Sequence, residues 1–385
     1  MTKILVRGPA LSQSGYGEHC RSVLRALKSR KKNDIYLINV GWGESGWIYE
    51  DTDERRWIDS LILKTAQVEG SDFDLSIQVQ LPIEWQQLAK TNIGVTAGVE
   101  TDTIPETWAR ASESMDAIIV PSQHTKSGYS GYDNLTDKIS VIGYPARKTK
   151  QGSLDISFPS EKNFLSVAQW SPRKNIEQLL SAFIQEFMNE DVGLVLKIGL
   201  KNGSEIDRFY TQERLETFMK AVPPSRKCKV HLLHGTLTEA EMTSLYEHKD
   251  ITAYVTSSHG EGFGLPCFDA VCSGLPVIAA NWGGIKEYSN VEGAPLILEV
   301  EHEVDNVKEY QQWVGVLETT AKWCFPNTTS LRAQMREAHN NTFEVSKKAG
   351  MLQAEITEKF SNKKINSLYN NLINKVLKEK ENETK

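Results

Sequence analysis

No C-x-x-C pair occurs among the five cysteines, at positions 20, 228, 267, 272 and 324, and their number is odd. A disulfide framework is therefore excluded in favour of buried or free thiols in a reducing compartment. No stretch approaches the ~20 apolar residues that span a bilayer. The opening MTKILVRGPALSQSG has only a short apolar run and reads as a first β-strand, not as a signal peptide. A cytoplasmic protein is expected. Positive charge is not in excess: Lys plus Arg is 44 against 50 for Asp plus Glu, a net charge of -6. That excludes a surface that draws nucleic acid as a whole, though not a local basic patch. There is no internal repeat and no low-complexity block.

What is present is a globular composition, 39% hydrophobic and 24% charged, over 385 residues, enough for two domains. Short β-branched runs alternate with helical patterns, which predicts parallel sheets covered on both faces. In the first half, strands are expected at 3–8, 35–40, 74–80, 92–97, 116–120 and 138–142. A helix between the first two has Cys20, Val23, Leu24 and Leu27 on one face. The segment 144–160, with Pro, Gly, mixed charge and no period, reads as an interdomain linker. The pattern then restarts, with strands at 163–168, 193–198, 228–233, 251–255 and 276–280 and helices at 174–188, 206–220, 239–247 and 266–273. After residue 305 it reads as all helical, with a last long helix over 352–378.

The most informative string is SHGEGFGLPCFDAVCSGLPVIAANWGGIKEY, residues 258–288. A strand runs into a loop with Gly260, Gly262 and Gly264, and Pro266 then opens a helix where its missing N–H costs nothing. Gly274 closes that helix. Such a helix N-terminus at the carboxyl end of a parallel sheet favours phosphate. Glu261 and Asp269 stand with seven residues between them, one in the loop and one expected in the first helical turn.

These residues resemble the E-x7-E signature of glycosyltransferase family 4: EGFGLP, an acid, a small-residue helix, G-x-P-V-I-A and G-G with a trailing Glu, here Glu287. The second acid is Asp269 where the family has Glu. SVAQWSPRKNIEQLLSAF (166–183) and GTLTEAEMTSLYEHKDITAYVTSS (235–258) resemble the segments that precede the signature, so the likeness covers about residues 163–290. It implies a GT-B fold, two doubly wound Rossmann-like α/β domains facing across a cleft. It also implies a retaining transferase whose donor is a nucleotide-diphosphate sugar, with UDP as the expected nucleotide, and no separate cofactor. By resemblance Arg173 and Lys174 hold the donor diphosphate and Asp269 the ribose. Glu261, with the amides of Gly262, Phe263, Gly264 and Leu265, faces the sugar and the distal phosphate. Cations and amides aimed at a leaving diphosphate lower the barrier by preorganised electrostatics. No carboxylate pair is arranged for double displacement, so a same-face displacement is expected in which the departing phosphate helps take the acceptor's proton.

The first half is similar to bacteriophage-encoded and marine bacterial members in SQSGYGEH and NIGVTAGVET. Gly15 and Gly17 are expected to let the backbone approach a donor phosphate. The family's histidine near the reacting sugar is absent from GVTAGVETDTIP (94–105), where Glu100, Thr101 and Asp102 stand. Glu100 is the candidate at the acceptor hydroxyl; His124, in VPSQHTKSGY, reads either as a cleft residue in its place or as a residue at a surface helix cap. Asp51-Thr52-Asp53 has the spacing of a metal-binding triplet but reads as a solvated loop, so no metal site is expected. Trp42, Trp47 and Trp57 are core residues or a stacking platform for a ring-shaped acceptor.

The acceptor stays open. Arg21, Arg25, Lys28, Arg30, Lys31 and Lys32, with Arg147, Lys148 and Lys150 in the linker, are a basic cluster suited to DNA bearing a hydroxymethylated base. A saccharide, a lipid-linked sugar or a protein is the alternative. An epimerase of sugar nucleotides, or a non-catalytic glycan-binding protein, are rivals of another class; EGFGLP argues against the first and intact Glu261, Arg173 and Lys174 against the second. The expected division is 1–150 for the acceptor domain, 151–350 for the nucleotide-sugar domain and 351–385 for a helix returning to the first domain.

Overall fold

The structure, a computed structural model, describes every residue except 69–71, 99, 148–151, 153, 292–293 and 384–385. In chain order the first elements are β1 (Thr2–Gly8), α1 (Gly15–Lys28), β2 (Asn33–Asn39), α2 (Asp53–Ala66), β3 (Leu75–Val79), β4 (Thr91–Val95), α3 (Glu106–Ser112), β5 (Ala117–Val120), α4 (Gln123–Ser127), α5 (Asp133–Thr136) and β6 (Ile139–Val141). There follow β7 (Asn163–Gln169), α6 (Ile176–Phe187), β8 (Gly193–Gly199), α7 (Glu205–Met219), β9 (Lys229–Leu232), α8 (Glu239–Tyr246), β10 (Ile251–Val255), α9 (Leu265–Cys272) and β11 (Val277–Ala280). The last are β12 (Asn290–Val291), β13 (Ala294–Pro295), β14 (Leu298–Val300), β15 (His302–Asn306), β16 (Lys322–Pro326), α10 (Thr328–Asn340), α11 (Thr342–Lys359) and α12 (Asn362–Glu383).

The chain forms two compact units. The first is Met1–Pro145 with Gln312–Ala321 and Phe360–Lys385; the second is Ala146–Gln311 with Lys322–Lys359. The first unit's sheet is parallel, in the order β2-β1-β3-β4-β5-β6. Its inner strands are buried on both faces, so β3 and β4 bury polar groups too, and these pair with one another. Ser76 Oγ donates to Asn92 Oδ1 at 2.7 Å, and Gln78 Nε2 to Ser76 Oγ at 3.2 Å. Helix α1 buries Cys20, Val23, Leu24 and Leu27 on one stripe, as their spacing predicts. Against it lies α12, which buries Ile365, Tyr369, Ile373 and Val376.

The second unit's sheet is also parallel, in the order β14-β11-β10-β7-β8-β9. Helix α6 turns Ile176, Leu179, Leu180, Phe183 and Phe187 inward, against a core that includes Phe164, Leu194 and Met335. Both units are therefore Rossmann-like, with the strand order reversing beside the first strand of each: between β1 and β3, and between β7 and β10.

Four expectations need correction. Asp51-Thr52-Asp53 is not a free loop: Thr52 caps α2 by accepting from Arg55 N at 3.1 Å, and Arg56 pairs with both aspartates at 2.7 and 2.6 Å. The region after 305 is not all helical, because β15 and β16 form an antiparallel ribbon. The segment between them, 312–321, joins the first unit, where Trp108 Nε1 donates to Gly315 O at 3.0 Å. The last long helix is two helices, α11 and α12, and only the part from Phe360 belongs to the first unit. The sheet strand β14, too short for a visible alternation, had no expectation.

Candidate active site

The site of the second unit is assembled where its strand order reverses. From the end of β7 the chain makes a short 3-10 turn over Pro172–Lys174. Asn175 then takes φ 52° and ψ 44°, left-handed, before α6 begins. Asparagine tolerates that region better than other residues with a Cβ. From the end of β10 comes the loop 256–264. Backbone and hydroxyl bonds hold the two turns together: His259 N donates to Arg173 O at 2.8 Å and Ser257 Oγ to Asn175 O at 2.7 Å. His259 is anchored on the other side, its Nδ1 donating to Cys324 O at 2.8 Å and its ring lying parallel to Trp323 at 5.3 Å.

This stitching presents Arg173 and Lys174 to Glu261. Lys174 Nζ reaches Glu261 Oε1 at 2.5 Å, Arg173 Nη1 reaches Oε2 at 3.2 Å, and Arg173 Nη1 also donates to Gly260 O at 2.6 Å. Glu261 is only 8% exposed. Burial opposes its charge, but Lys174 and Arg173 outweigh that cost and hold the carboxyl down at about 2. Two cationic side chains thus converge on one buried carboxylate.

The glycines of the signature have separate tasks. Gly264 takes φ 81° and leads into α9, which has no side-chain cap. Gly284 lies so close that a Cβ there would stand 2.1 Å from Gly262 O, and its N–H donates to Glu261 O at 2.8 Å. Gly283 takes φ 71°, and its Cβ would meet Glu261 O at 2.8 Å. The trailing G-G thus clamps the back of the Glu261 loop. Tyr288 adds a second brace: its hydroxyl lies 2.7 Å from Phe263 O and 2.9 Å from Gly264 O, and its ring packs on Phe263 and Phe268. Leu265 is the first residue of α9.

Asp269 lies in the second turn of α9, not the first, so it is not a carboxylate offsetting the helix dipole. It pairs with Arg147: Nη2 stands 2.8 Å from Asp269 Oδ2, and Nη1 3.1 Å from Glu239 Oε1. Arg147 therefore leaves the basic cluster in which the sequence placed it. No short-range signal links residues so far apart. Glu287 ends the turn after β11, and its carbonyl accepts from Lys359 Nζ at 2.7 Å.

The remaining candidates belong to the first unit. Gly15 is exposed and opens α1, while Ser14 caps it by accepting from Gly17 N at 3.1 Å. A Cβ on Gly17 would lie 2.0 Å from Ser12 O. The close approach that Gly17 permits is thus that of the chain's own loop. Glu100 lies past the end of β4, where its charge acts on the Tyr16 hydroxyl. His124 sits in α4, capped by Ser122.

Of the basic cluster on and after α1, Arg21 and Arg25 are taken up by internal bonds, while Lys28, Lys31 and Lys32 are exposed. Buried Arg21 donates to Ala10 O and Ser12 O, both at 2.8 Å, and binds Glu18. Arg25 bridges Glu18 at 2.7 Å and Glu54 at 2.6 Å. Lys28 lies over the Trp57 ring at 4.2 Å, and Arg30 bonds Asn374. Lys148 and Lys150 lie outside the described residues. The described residues include no group of three or more His, Cys, Asp or Glu able to hold a metal ion, and no helix among them is long and apolar enough to cross a membrane.

Residues 155–314 match the family model described as glycosyl transferases group 1. No curated protein matches the chain. Among solved structures it is similar to HepE of Anabaena in complex with UDP and glucose, at 15% identity and TM-score 0.65 over 97% of this chain and 100% of that one. It is similar to sucrose-phosphate synthase of Thermosynechococcus elongatus, at 14% identity and TM-score 0.64 over 98% and 99% of the two chains. A third is a glycosyltransferase of Rickettsia africae, at 15% identity and TM-score 0.62 over 97% and 98%. Identities this low speak for the fold, which is GT-B. The matched segment is a glycosyl transferases group 1 domain, and the chain that carries it is a transferase.

Proposed function

We propose that this chain, with its glycosyl transferases group 1 domain in the second unit, moves a sugar from a UDP-sugar to a hydroxyl acceptor with retention of anomeric configuration. The observation that carries the reading is the cluster of Glu261, Lys174 and Arg173 at the strand-order reversal of the second sheet, beside the uncapped start of α9. Arg173 and Lys174 meet the diphosphate, whose charge grows as the glycosidic bond breaks. Interactions that strengthen with that charge lower the barrier and do not merely tighten binding. Glu261 and the backbone of Gly262–Leu265 face the sugar and distal phosphate, and Asp269 faces the ribose. Their low-dielectric, internally bonded setting means that little must reorganise when the donor enters. The UDP and UDP-glucose complexes of HepE support the choice of nucleotide.

Glu100 is assigned to the acceptor hydroxyl, and the departing diphosphate to the acceptor's proton. A saccharide is favoured as acceptor over nucleic acid, because Arg21 and Arg25 are spent within the first unit. The reading is tested by incubating the protein with a panel of nucleotide sugars, with and without neutral glycosides or hydroxymethylcytosine DNA, and following UDP release and product configuration by NMR. Acceptor-dependent release with an α-linked product from an α-donor, persisting in EDTA, is the expected result. Interconversion of sugar nucleotides without acceptor would assign an epimerase, and binding without turnover would assign a glycan-binding protein.

A further inference from the structure

Arg147 stands where the chain enters the second unit, just after buried Ala146. Its side chain is built into that unit. Nη2 stands 2.8 Å from Asp269 Oδ2 and Nη1 3.1 Å from Glu239 Oε1. The segment that carries it is pinned to α8 a few residues further on. Gly152 N donates to Ala240 O at 3.0 Å, and Ser244 Oγ donates to Gly152 O at 2.9 Å. A Cβ on Gly152 would stand 2.9 Å from Ala240 Cβ, so this strap lies as close to the helix as a backbone can.

The two acids that Arg147 joins have related places. Glu239 is the first residue of α8, and Asp269 lies one turn beyond Leu265, the first residue of α9. Both stand near helix starts at the carboxyl end of the second sheet, where such sheets take their ligands. Side chains on a helix lean toward its N-terminus, so Asp269 lies toward the end of α9 that the Glu261 loop enters. Helix N-termini favour acids unaided, and a cation there opposes the dipole. The two helix starts alone therefore do not call for an arginine. What it adds is orientation. A guanidinium with its terminal nitrogens on acids of two helices has a fixed plane, and it fixes in turn the carboxylate it holds. An aspartate has fewer side-chain torsions than the glutamate of the family signature, so one clamp sets its direction. The pair is not sealed in the core: the side chains of Arg147 and Asp269 are 27% and 23% exposed.

We infer that Arg147 is a positioning residue of the donor site, which holds the Asp269 carboxylate toward the ribose hydroxyls and so makes the second unit select nucleotides that carry them. The inference rests on the reading of Asp269 as the ribose partner. A carboxylate accepts from hydroxyls and has no partner in a sugar ring that lacks them. An acceptor fixed in place for a hydroxyl rejects the analogue without it, because the acceptor is then left unpaired.

The full chain is titrated by calorimetry with UDP and with 2′,3′-dideoxy-UDP, which has the same base and diphosphate but neither ribose hydroxyl. The wild type is expected to bind UDP at least about tenfold more tightly. Arg147→Ala should weaken UDP about tenfold and leave dideoxy-UDP within about twofold, so that the preference disappears. Arg147→Lys keeps the charge but not the planar fork, and it should lose the preference too; this separates positioning from long-range attraction of the diphosphate. In an Asp269→Asn background Arg147→Ala should change neither affinity further. Should Arg147→Ala fail to fold, as read by circular dichroism, Arg147→Lys decides. A purely structural arginine would weaken both ligands alike or neither, and either result overturns the inference. So does a wild type that binds the two ligands equally, which would leave the diphosphate contacts of Arg173 and Lys174 standing. A wild type that binds neither ligand sinks the donor reading itself, and the inference with it.

Discussion

The two sheets reverse their strand order in the same way and then use the reversal differently. In the first unit the point of reversal is filled by the chain itself. The Ser12 carbonyl occupies the space a Cβ of Gly17 would need, Ser14 caps α1, and Arg21 ties the loop's carbonyls from below. In the second unit neither α6, the equivalent helix after the first strand, nor α9, which follows β10, has a side-chain cap, and the turns before them bring two cations onto one buried carboxylate. Both reversals hold ion pairs, Arg21 with Glu18 in the first and Arg173 and Lys174 with Glu261 in the second, but only in the first does a side chain cap the helix. A shared fold supplies the location of a site; the side chains placed there decide its chemistry.

The sharpest way to break this contrast is to neutralise the carboxylate of the second reversal. Glu261→Gln keeps the volume and removes the charge, and turnover at saturating donor is expected to fall at least ~100-fold. The same variant checks the ionisation. A carboxyl held at about 2 in the folded state, against about 4.3 unfolded, contributes stability that is complete above the unfolded value. That contribution is lost as pH falls through the folded one. The melting-temperature gap between wild type and Glu261→Gln should therefore be constant from neutral pH to about 5 and narrow between about 4.5 and 2. A gap that changes near neutrality would mean that Glu261 is not held by Lys174 and Arg173.

Two glycines under equal steric pressure sharpen the comparison. Gly284→Ala and Gly17→Ala would each force a Cβ to within 2.1 and 2.0 Å of a backbone carbonyl. Each should cost about 1–3 kcal/mol in chemical denaturation. Only Gly284→Ala should abolish UDP binding, because only its clash displaces the Glu261 loop. Loss of UDP binding in Gly17→Ala as well would show that the first glycine loop is part of the donor site.

Smaller effects follow from Asn175 and Gly15. Asn175→Ala should destabilise by about 1–2 kcal/mol, the cost of a left-handed residue with an ordinary side chain, while Asn175→Gly is nearly silent in a melt. Gly15→Ala, exposed at the first position of α1, should leave stability within about 0.5 kcal/mol or raise it slightly. A large loss there would mean that Gly15, not Gly17, carries the loop's backbone requirement.

The extent to which all this could be read from the residues differs by kind of signal. The central strands and the first glycine loop have local signatures, a run of β-branched residues or a glycine at a turn, and they fall where those signatures put them. Arg173, Lys174 and Glu261 were legible because each sits at a strand-to-helix turn. Their mutual pairing was not, since it depends on β7 and β10 lying side by side. Arg147 on Asp269 had no local mark at all. The polar run at 51–53 misled because Thr52 looks the same in a loop as at the cap of α2. The β15–β16 ribbon was hidden because its partners are separated by an excursion with no period of its own.

That excursion has a consequence for how the molecule is made. The first unit is assembled from three stretches of chain: the N-terminal 145 residues, the short 312–321 piece that accepts the Trp108 N–H, and the terminal helix that lies on α1. On a ribosome the last of these emerges only after the whole second unit has been synthesised. The N-terminal unit, although made first, is then completed last, and its early intermediate must wait with the face of α1 uncovered. A truncated chain that stops at residue 145 is expected to aggregate, and one that stops at 359 to fold its second unit while the first stays exposed to protease.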